Sequence, residues 1–247
     1  MSLLQMAKKN PNMERITSKN KVFGRRKGKR LSWRQKENIK LHLSKYSIFN
    51  SYADGSFELD KVDLKKLFGD LDDFELEIGF GMGDFLFQKA MAQCTTGFLG
   101  CEVFENGVAS LLTRIEEAKL RNVFIHPGNC IDLLDNLRGA NLNTIHLLFP
   151  DPWPKNRHHK RRFLTTENID KICLALKKGG SIFVATDIEE YANQISLIMD
   201  KRSDFEAEDF SIKEFKSPLG VEFQTKFERK AFASDRLPKY MIFKRIV

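Results

Sequence analysis

The chain has 247 residues, 42% hydrophobic and 11% aromatic, with a net charge of +8, which suits one α/β domain with a sizeable core and an appendage. No apolar run approaches the roughly 20 residues of a membrane span, and the start, MSLLQMAKKNPN, lacks the apolar segment of a signal peptide. The cysteines form no CxxC pair and have no histidine at zinc-ligand spacing. We therefore expect free thiols, a cytoplasmic protein, no metal and no membrane partner.

The positive charge is concentrated near the start of the chain. The first 45 residues contain 14 Lys and Arg but two acids, a net charge of +12 that leaves −4 for the rest. Such an arm is either a solubilising tail or a contact for a polyanion. Phe23 and Trp33 interleave the cations of VFGRRKGKRLSWRQKE, which favours the second interpretation. Ser32 is a candidate cap for a helix through WRQKENIKLHLSKY, and the candidate RNA-backbone contacts here are Arg25, Arg26 and Lys27.

After residue 50 the pattern alternates between strands and helices. Buried strands are predicted in FELEIGF, GFLGCEVF, NVFIHPG, NTIHLLFP and GGSIFVATD, and helices at about residues 83–93, 106–120, 130–138, 165–178 and 188–202. This order predicts a parallel sheet covered by helices on both faces, with a ligand site at the carboxyl ends of the strands. EFKSPLGVEF and KYMIFKRIV predict an antiparallel hairpin at one edge. The predicted domains are residues 1–50, a basic arm and helix for RNA, and residues 51–247.

A glycine loop follows the first predicted strand in LEIGFGMGDF, with Gly79, Gly81 and Gly83. Its spacing differs from the dinucleotide fingerprint, and no P-loop lysine follows. Glu77 would repel a pyrophosphate but suits the amino group and sulfonium of S-adenosylmethionine. The alternative is a tight strand-to-helix turn that binds nothing.

Polar residues at the next two strand ends suit the rest of the same cofactor. Glu102 ends the second strand about 20 residues after the loop, where a doubly wound fold presents an acid to a ribose diol. Asn129, followed by Cys130, ends the third strand, where an amide can bond an adenine edge. An ordinary strand-end acid and a plain turn residue are the alternatives, but together the strand ends predict a pocket for S-adenosylmethionine.

The fourth strand runs into FPDPWP and then a cluster of cations. Prolines on both sides of Asp151 restrict the backbone, which favours a held carboxylate beside a reaction site over a loop that only packs. Trp153 either stacks on a base or packs in the protein. The basic run is either a solvated face or, with the basic arm, a second phosphate contact; its candidates are Arg157, Lys160, Arg161 and Arg162.

The segments EIGFGMG, GCEV, FPDPWPKNRHHKRR, ATD and TKFE resemble, in order and context, the bacterial tRNA (guanine-N7)-methyltransferases over roughly residues 23–247. The resemblance implies a Rossmann-like class I S-adenosylmethionine-dependent methyltransferase: α/β, with a mostly parallel seven-stranded sheet, an antiparallel C-terminal edge strand and a basic N-terminal extension. It also implies that Asp151 is the catalytic acid and a cofactor contact beside Glu77, Glu102 and Asn129. Asn129 departs from the usual Asp. The implied substrate-binding residues are Lys155, Asp187, Thr225, Lys226, Phe227 and Glu228.

The expected function is methyl transfer from S-adenosylmethionine to N7 of a guanine in the variable loop of tRNA, forming 7-methylguanosine. We expect a monomer or homodimer with tRNA as partner. Two other functions stay open at this stage. One is a methyltransferase with a different acceptor, such as another RNA base, a DNA amine or a protein. The other is a non-catalytic RNA-binding protein with a Rossmann-like core.

Overall fold

The computed structural model describes residues 21, 23–48, 62–208, 226–234 and 236–247, without the side chains of residues 226–228. Its helices are α1 (Trp33–Tyr46), α2 (Leu64–Phe68), α3 (Asp84–Ala92), α4 (Glu105–Glu117), α5 (Cys130–Asn136), α6 (Thr166–Ala175), α7 (Glu189–Met199) and α8 (Lys226–Phe232). Its strands are β1 (Asp73–Ile78), β2 (Thr96–Cys101), β3 (Val123–His126), β4 (Leu142–Leu148), β5 (Leu176–Thr186), β6 (Phe205–Glu208) and β7 (Lys239–Arg245).

The described strands form one seven-stranded sheet in the order β3-β2-β1-β4-β5-β7-β6. Strands β1 to β5 pair in parallel, and β7 runs antiparallel to both neighbours, β5 and β6. The predicted parallel sheet and antiparallel C-terminal strand are confirmed. The edge strand, however, is β6, a strand of four residues that the sequence pattern missed, and β7 lies one position inside it. EFKSPLGVEF, the other strand of the predicted hairpin, lies outside the described residues.

Helices cover both faces of the sheet, as the βαβ order predicts. On one face Phe98 packs with side chains from α1, α3 and α4, and on the other Leu76 and Ile145 pack with side chains from α5, α6 and α7. Side chains along a strand alternate between faces, so Leu76 and Ile78 face α5 while Glu75 and Glu77 face α3. Two carboxylates of β1 therefore point toward the same helix.

Helix α1 is packed into this structure through α4. Ser32 and Gln35 form a capping box at its first turn, as the predicted cap requires. Along its length Asn38 Nδ2 donates to Thr113 Oγ1 at 3.0 Å, and the Tyr46 hydroxyl donates to Glu116 at 2.6 Å. The buried side chains of α1 thus share a core with α4, while the cationic segment before Ser32 continues over the protein surface.

Several boundaries differ from the predicted ones for identifiable reasons. The helix predicted over residues 165–178 ends at Ala175, because Leu176 pairs with Leu142 of β4 and starts β5 early. The basic run after FPDPWP forms a 3-10 helix, Asn156–Arg161, for which the sequence pattern predicted no regular structure. Among the described helices, none combines the length and apolarity that crossing a bilayer requires.

We predict that Ser32→Ala lowers the free energy of unfolding by about 1 kcal/mol, because the α1 cap loses its acceptor for the Gln35 amide. Urea denaturation followed by circular dichroism measures the change. Ser32→Asp keeps a side-chain acceptor and is the matched control, expected within a few tenths of a kcal/mol of the parent. Equal losses in the two variants would show that the cap does not stabilise α1.

Candidate active site

A cavity of about 790 Å³ opens at the carboxyl ends of β1, β2 and β4. Its walls come from segments far apart in the sequence: the glycine loop, the ends of β2 and β4, the start of α5 and the basic arm. Successive βαβ windings bring the carboxyl ends of parallel strands to one edge of the sheet, which explains the assembly. Of the predicted cofactor residues, those that line the cavity are Glu77, Gly79, Gly81, Glu102, Asn129, Cys130 and Asp151.

The glycine loop forms the floor of this cavity. Gly79, Gly81 and Gly83 have φ of 74°, 55° and 75°, the left-handed region that favours glycine. A Cβ on Gly79 or Gly81 would meet no described atom within 4 Å, so open space lies above the loop. A Cβ on Gly107 of α4 would lie 1.7 Å from the Gly81 carbonyl oxygen. Helix α4 therefore packs directly against the back of the loop.

Glu77 is a buried carboxylate that the described protein leaves partly unsatisfied. Its side chain is on the cavity wall, and its Oε2 has no hydrogen-bond partner among the described residues. Burial raises the pKa of Glu77 to about 8, and the charge of Glu102 acts in the same direction. An unsatisfied buried carboxylate carries a large desolvation cost, which a cation placed against it would remove.

Glu102 is held in one orientation by backbone amides. Its Oε2 accepts from the Gly81 amide at 2.7 Å, and its Oε1 accepts from the amides of Val103 and Phe104 at 2.6 and 2.9 Å. Burial raises the pKa of Glu102, against these hydrogen bonds, which lower it. A carboxylate has about four acceptor positions, so the three amides leave one for a ligand hydroxyl.

Asn129 and Cys130 form the next wall, at the start of α5. The Asn129 Oδ1 accepts from the Ile131 amide at 3.0 Å and so caps α5. This capping role was missed, although an Asn directly before an apolar helix is a known cap signal. Cys130 is buried and lines the cavity together with Cys101 at the end of β2.

Asp151 lies on a strained loop at the mouth of the cavity. Phe149 and Trp153, on either side of it, have φ of 51° and 44°, unusual for side chains of this size. Loss of hydration raises the pKa of Asp151. Gly24 of the basic arm lies beside it, because a Cβ there would be 3.9 Å from the Asp151 Oδ2. The cavity wall contributed by Lys21, Phe23, Gly24 and Arg25 was missed, since the arm was interpreted only as an RNA contact.

In the described structure Trp153 packs against neighbouring side chains, and it also lines the cavity. Its ring meets Phe23 edge-on at 6.5 Å and His158 at 5.9 Å between centroids. The Arg161 guanidinium lies 4.9 Å from the Trp153 ring and 5.4 Å from the Phe23 ring. Trp153 therefore packs within the protein, where cation–π contacts join the basic arm to the Asp151 loop.

The predicted phosphate contacts divide by exposure. Arg25, Arg26, Lys27, Arg157 and Lys160 are exposed, and Arg161 is half-buried. Arg162 is a correction: it is 2% exposed, and its guanidinium bonds the protein, so it cannot reach a phosphate. A local charge run does not show which of its side chains turns inward.

The predicted substrate residues with described side chains, Lys155 and Asp187, are not among the residues that line the cavity. Asp187, at the carboxyl end of β5, pairs with Arg236 at 3.0 Å, and Lys155 is exposed beyond the Asp151 loop. Lys226, Phe227 and Glu228 begin α8, but their side chains lie outside the described residues, as does Thr225. Lys230 of α8 lines the cavity, which places this helix at the site.

A family model described as "Putative methyltransferase" matches residues 73–240. A tRNA (guanine-N(7)-)-methyltransferase of Jannaschia sp. (strain CCS1) is 37% identical over 90% of this chain and 93% of its own length. A relative with the same name from Bartonella quintana (strain Toulouse) is 38% identical over 90% of this chain and 94% of its own. This chain belongs to the tRNA (guanine-N(7)-)-methyltransferase family.

Solved structures with the same fold lie further away in sequence. The 16S rRNA methyltransferase KamB aligns with a TM-score of 0.53 and 12% identity, over 74% of this chain and 92% of its own. A 30S ribosomal A1408 methyltransferase from an uncultured bacterium aligns with a TM-score of 0.51 and 16% identity, with the same coverage. At these identities the match establishes the class I methyltransferase fold for this family member.

We predict that Glu77→Gln stabilises the ligand-free protein increasingly as pH rises from 5 to 8. The folded pKa of about 8 lies above the ordinary value of 4.5, so in this window the folded state holds a proton that the unfolded state releases. Stability from this group therefore falls with pH, and glutamine removes that loss. Urea denaturation at several pH values measures the difference.

Glu75→Gln is the matched control on the same face of β1. Glu75 bonds His146 at 2.7 Å and Lys89 at 3.1 Å, and these contacts hold its pKa below the ordinary value despite burial. Its ionised form stabilises the fold, so Glu75→Gln should destabilise the protein at neutral pH. A Glu77→Gln effect that is flat with pH would contradict the prediction.

Proposed function

We propose that this protein transfers a methyl group from S-adenosylmethionine to N7 of a guanine in tRNA, forming 7-methylguanosine. One observation carries the proposal: the unsatisfied Glu77, the glycine loop and Asp151 line a single cavity beside a basic surface. Family membership over about 90% of the chain supports the choice of donor and acceptor. The guanine of the variable loop remains the expected site within tRNA.

The donor fits the residues present. Glu77 would hold its cationic amino acid end, because the Glu77 Oε2 has no partner among the described residues. Gly79 and Gly81 leave space above the loop for close approach, whereas Gly83 lies outside the cavity lining, and a Cβ on it would be 2.8 Å from the Leu111 side chain. Glu102 would accept from the ribose, and Asn129 would meet the adenine, although the capping bond already uses one of its acceptor positions.

When bound, S-adenosylmethionine supplies an electrophilic methyl group, which the in-plane lone pair of guanine N7 can accept without prior loss of a proton. The protein therefore needs alignment more than a general base. Asp151, held on its restricted loop, would place negative charge near the purine as it becomes cationic, or accept from the guanine N1–H and amino group.

The substrate-facing residues around Asp151 suit a nucleotide. Asp187 ends the strand next to β4 and would hold the base or its sugar with Lys155 and the start of α8. Exposed cations of the arm and of the 3-10 helix would contact phosphates. Desolvation lowers the pKa of His158, and the charges of Arg161, Lys155 and Lys160 act in the same direction.

The deciding experiment incubates the protein with unmodified tRNA and methyl-labelled S-adenosylmethionine, then digests the RNA to nucleosides. Label in 7-methylguanosine supports the proposal, and label in another nucleoside identifies a different RNA acceptor. Transfer to DNA or protein would identify the other class of methyltransferase. Binding of tRNA without S-adenosylmethionine heat in calorimetry would indicate a non-catalytic RNA-binding protein.

We predict that Asp151→Ala abolishes turnover while the affinity for S-adenosylmethionine stays within a few fold, because Asp151 acts on the acceptor side. Glu77→Gln should instead act on binding. It should weaken the affinity for S-adenosylmethionine by about 10- to 100-fold, the effect of losing a charged hydrogen bond. Single-turnover assays and calorimetry measure the two. Near-normal turnover by Asp151→Ala would refute its role.

We predict that replacing Arg25, Arg26 and Lys27 together by Gln weakens tRNA binding and makes its salt dependence shallower. For each cation that no longer pairs with a phosphate, the slope of log affinity against log salt should decrease by about 0.7–0.9. Filter binding over a salt series measures it. Lys178→Gln with Lys201→Gln, exposed lysines away from the cavity lining, is the control. Equal slopes in both variants would exclude the arm as the RNA-binding surface.

A further inference from the structure

Arg162 carries the one fully buried guanidinium among the described arginines, within the basic run. Its side chain is 0% exposed. The Nε donates to the Pro152 carbonyl at 2.7 Å, and one terminal nitrogen donates to the Gln194 side chain. The other terminal nitrogen lies 3.1 Å from Glu190 Oε1 and 3.0 Å from His159 Nε2. The cation is thus compensated inside the protein.

The bond to Pro152 fixes the loop immediately after Asp151. On the other side of Asp151, the Phe149 amide donates to the Ala185 carbonyl of β5 at 2.7 Å. The aspartate therefore sits between two anchors, one on β5 and one on Arg162. Prolines at 150 and 152 remove backbone freedom between them, so the position of Asp151 follows from the anchors.

Helix α7 provides the other contacts of the Arg162 guanidinium. Glu190 and Gln194 bond the guanidinium, and the Tyr191 ring lies 4.9 Å from its centre. Tyr191 is itself fixed, because its hydroxyl accepts from the Leu164 amide at 3.3 Å. Helix α7 begins two residues after Asp187. Helix α7 therefore connects the two carboxylates: it follows Asp187 directly in the chain, and it holds Arg162, which bonds the residue after Asp151.

We propose that Arg162 is a positioning residue for methyl transfer: it clamps the Pro152 carbonyl to α7 and so sets the place of Asp151 relative to Asp187. The inference rests on the proposed function and goes beyond it. Arg162 belongs to the cavity lining, but its guanidinium bonds Pro152, Gln194 and Glu190 of the protein. It acts through the Asp151 loop, so its loss should affect the chemical step while binding is kept.

The test compares Arg162→Lys with the parent protein in single-turnover methylation of tRNA. Lysine keeps a cation near Glu190 but cannot bond Pro152 and Gln194 in the planar arrangement of arginine. The rate of the chemical step should fall about 100-fold, as expected for an ångström-scale misplacement. The dissociation constants for S-adenosylmethionine and tRNA should stay within about threefold.

A spectroscopic readout reports the loop itself. The protein has two tryptophans, and Trp153 follows Pro152, whereas Trp33 is 77% exposed on α1. In a Trp33→Phe background, Arg162→Lys should shift the Trp153 emission maximum and increase its quenching by acrylamide. A cation that only stabilised the fold would leave this signal unchanged below the unfolding temperature.

Arg245→Lys is the matched control. Arg245 also ties backbone carbonyls, bonding those of Cys173 and Leu176 at 2.7 and 2.5 Å, but at the opposite end of β5. It should lower the melting temperature while turnover and Trp153 emission stay at parental values. If Arg162→Lys does not fold, Gln194→Ala removes one support of the guanidinium and should give a smaller rate loss of about tenfold.

The outcomes separate the two proposals. A parent protein that makes no 7-methylguanosine overturns the proposed function. A parent that is active together with full-rate Arg162→Lys and Gln194→Ala variants overturns the positioning role. The positioning role would also be overturned if Arg162→Lys kept its chemical rate but lost tRNA affinity and showed a shallower salt slope. That result would mean that Arg162 contacts a phosphate. A slower chemical step with retained binding supports the positioning role.

Discussion

The two carboxylates of β1 that face α3 experience opposite environments, and the site depends on that difference. Glu75 is closed off by Lys89 and His146 and serves the fold. Glu77 is equally enclosed by the protein, but one oxygen has no described partner, and its pKa rises to about 8. The folding of the sheet thus creates a position that favours a cation, at a cost to the ligand-free protein. The glycine loop is left bare above it, so that a ligand can approach the backbone.

The rigidity of the Asp151 loop has a different physical origin. Around Asp151, prolines limit the backbone, and two side chains outside the usual φ region show that packing over-determines the loop. Trp153 closes one side by contact with Phe23 and Arg161. Methyl transfer to a nitrogen that needs no deprotonation gains most from alignment, and a loop held at both ends supplies it.

The parts of this structure that follow a repeating pattern could be predicted from the sequence. Buried parallel strands are continuous apolar runs, and their winding brings Glu77, Glu102 and Asp151 to one edge. Features decided by a distant partner could not be predicted. The burial of Arg162 depends on Glu190 and Gln194, about 30 residues later in the chain, and nothing in KRR marks its third cation. Likewise β6 is too short to show a period.

Negative and positive side chains occupy different parts of the site. This separation explains how one surface could bind both cationic S-adenosylmethionine and polyanionic tRNA. Acids line the wall and the mouth of the cavity, where burial strengthens their effect on a small ligand. Cations occupy the exposed rim, where each contact is individually weak but counterion release makes their sum large. A phosphate inside the cavity would meet Glu77 and Glu102, so the backbone of a bound nucleic acid would be confined to the rim. Under the proposed function, the part of a nucleotide that enters is therefore an uncharged base, which would meet Asp151.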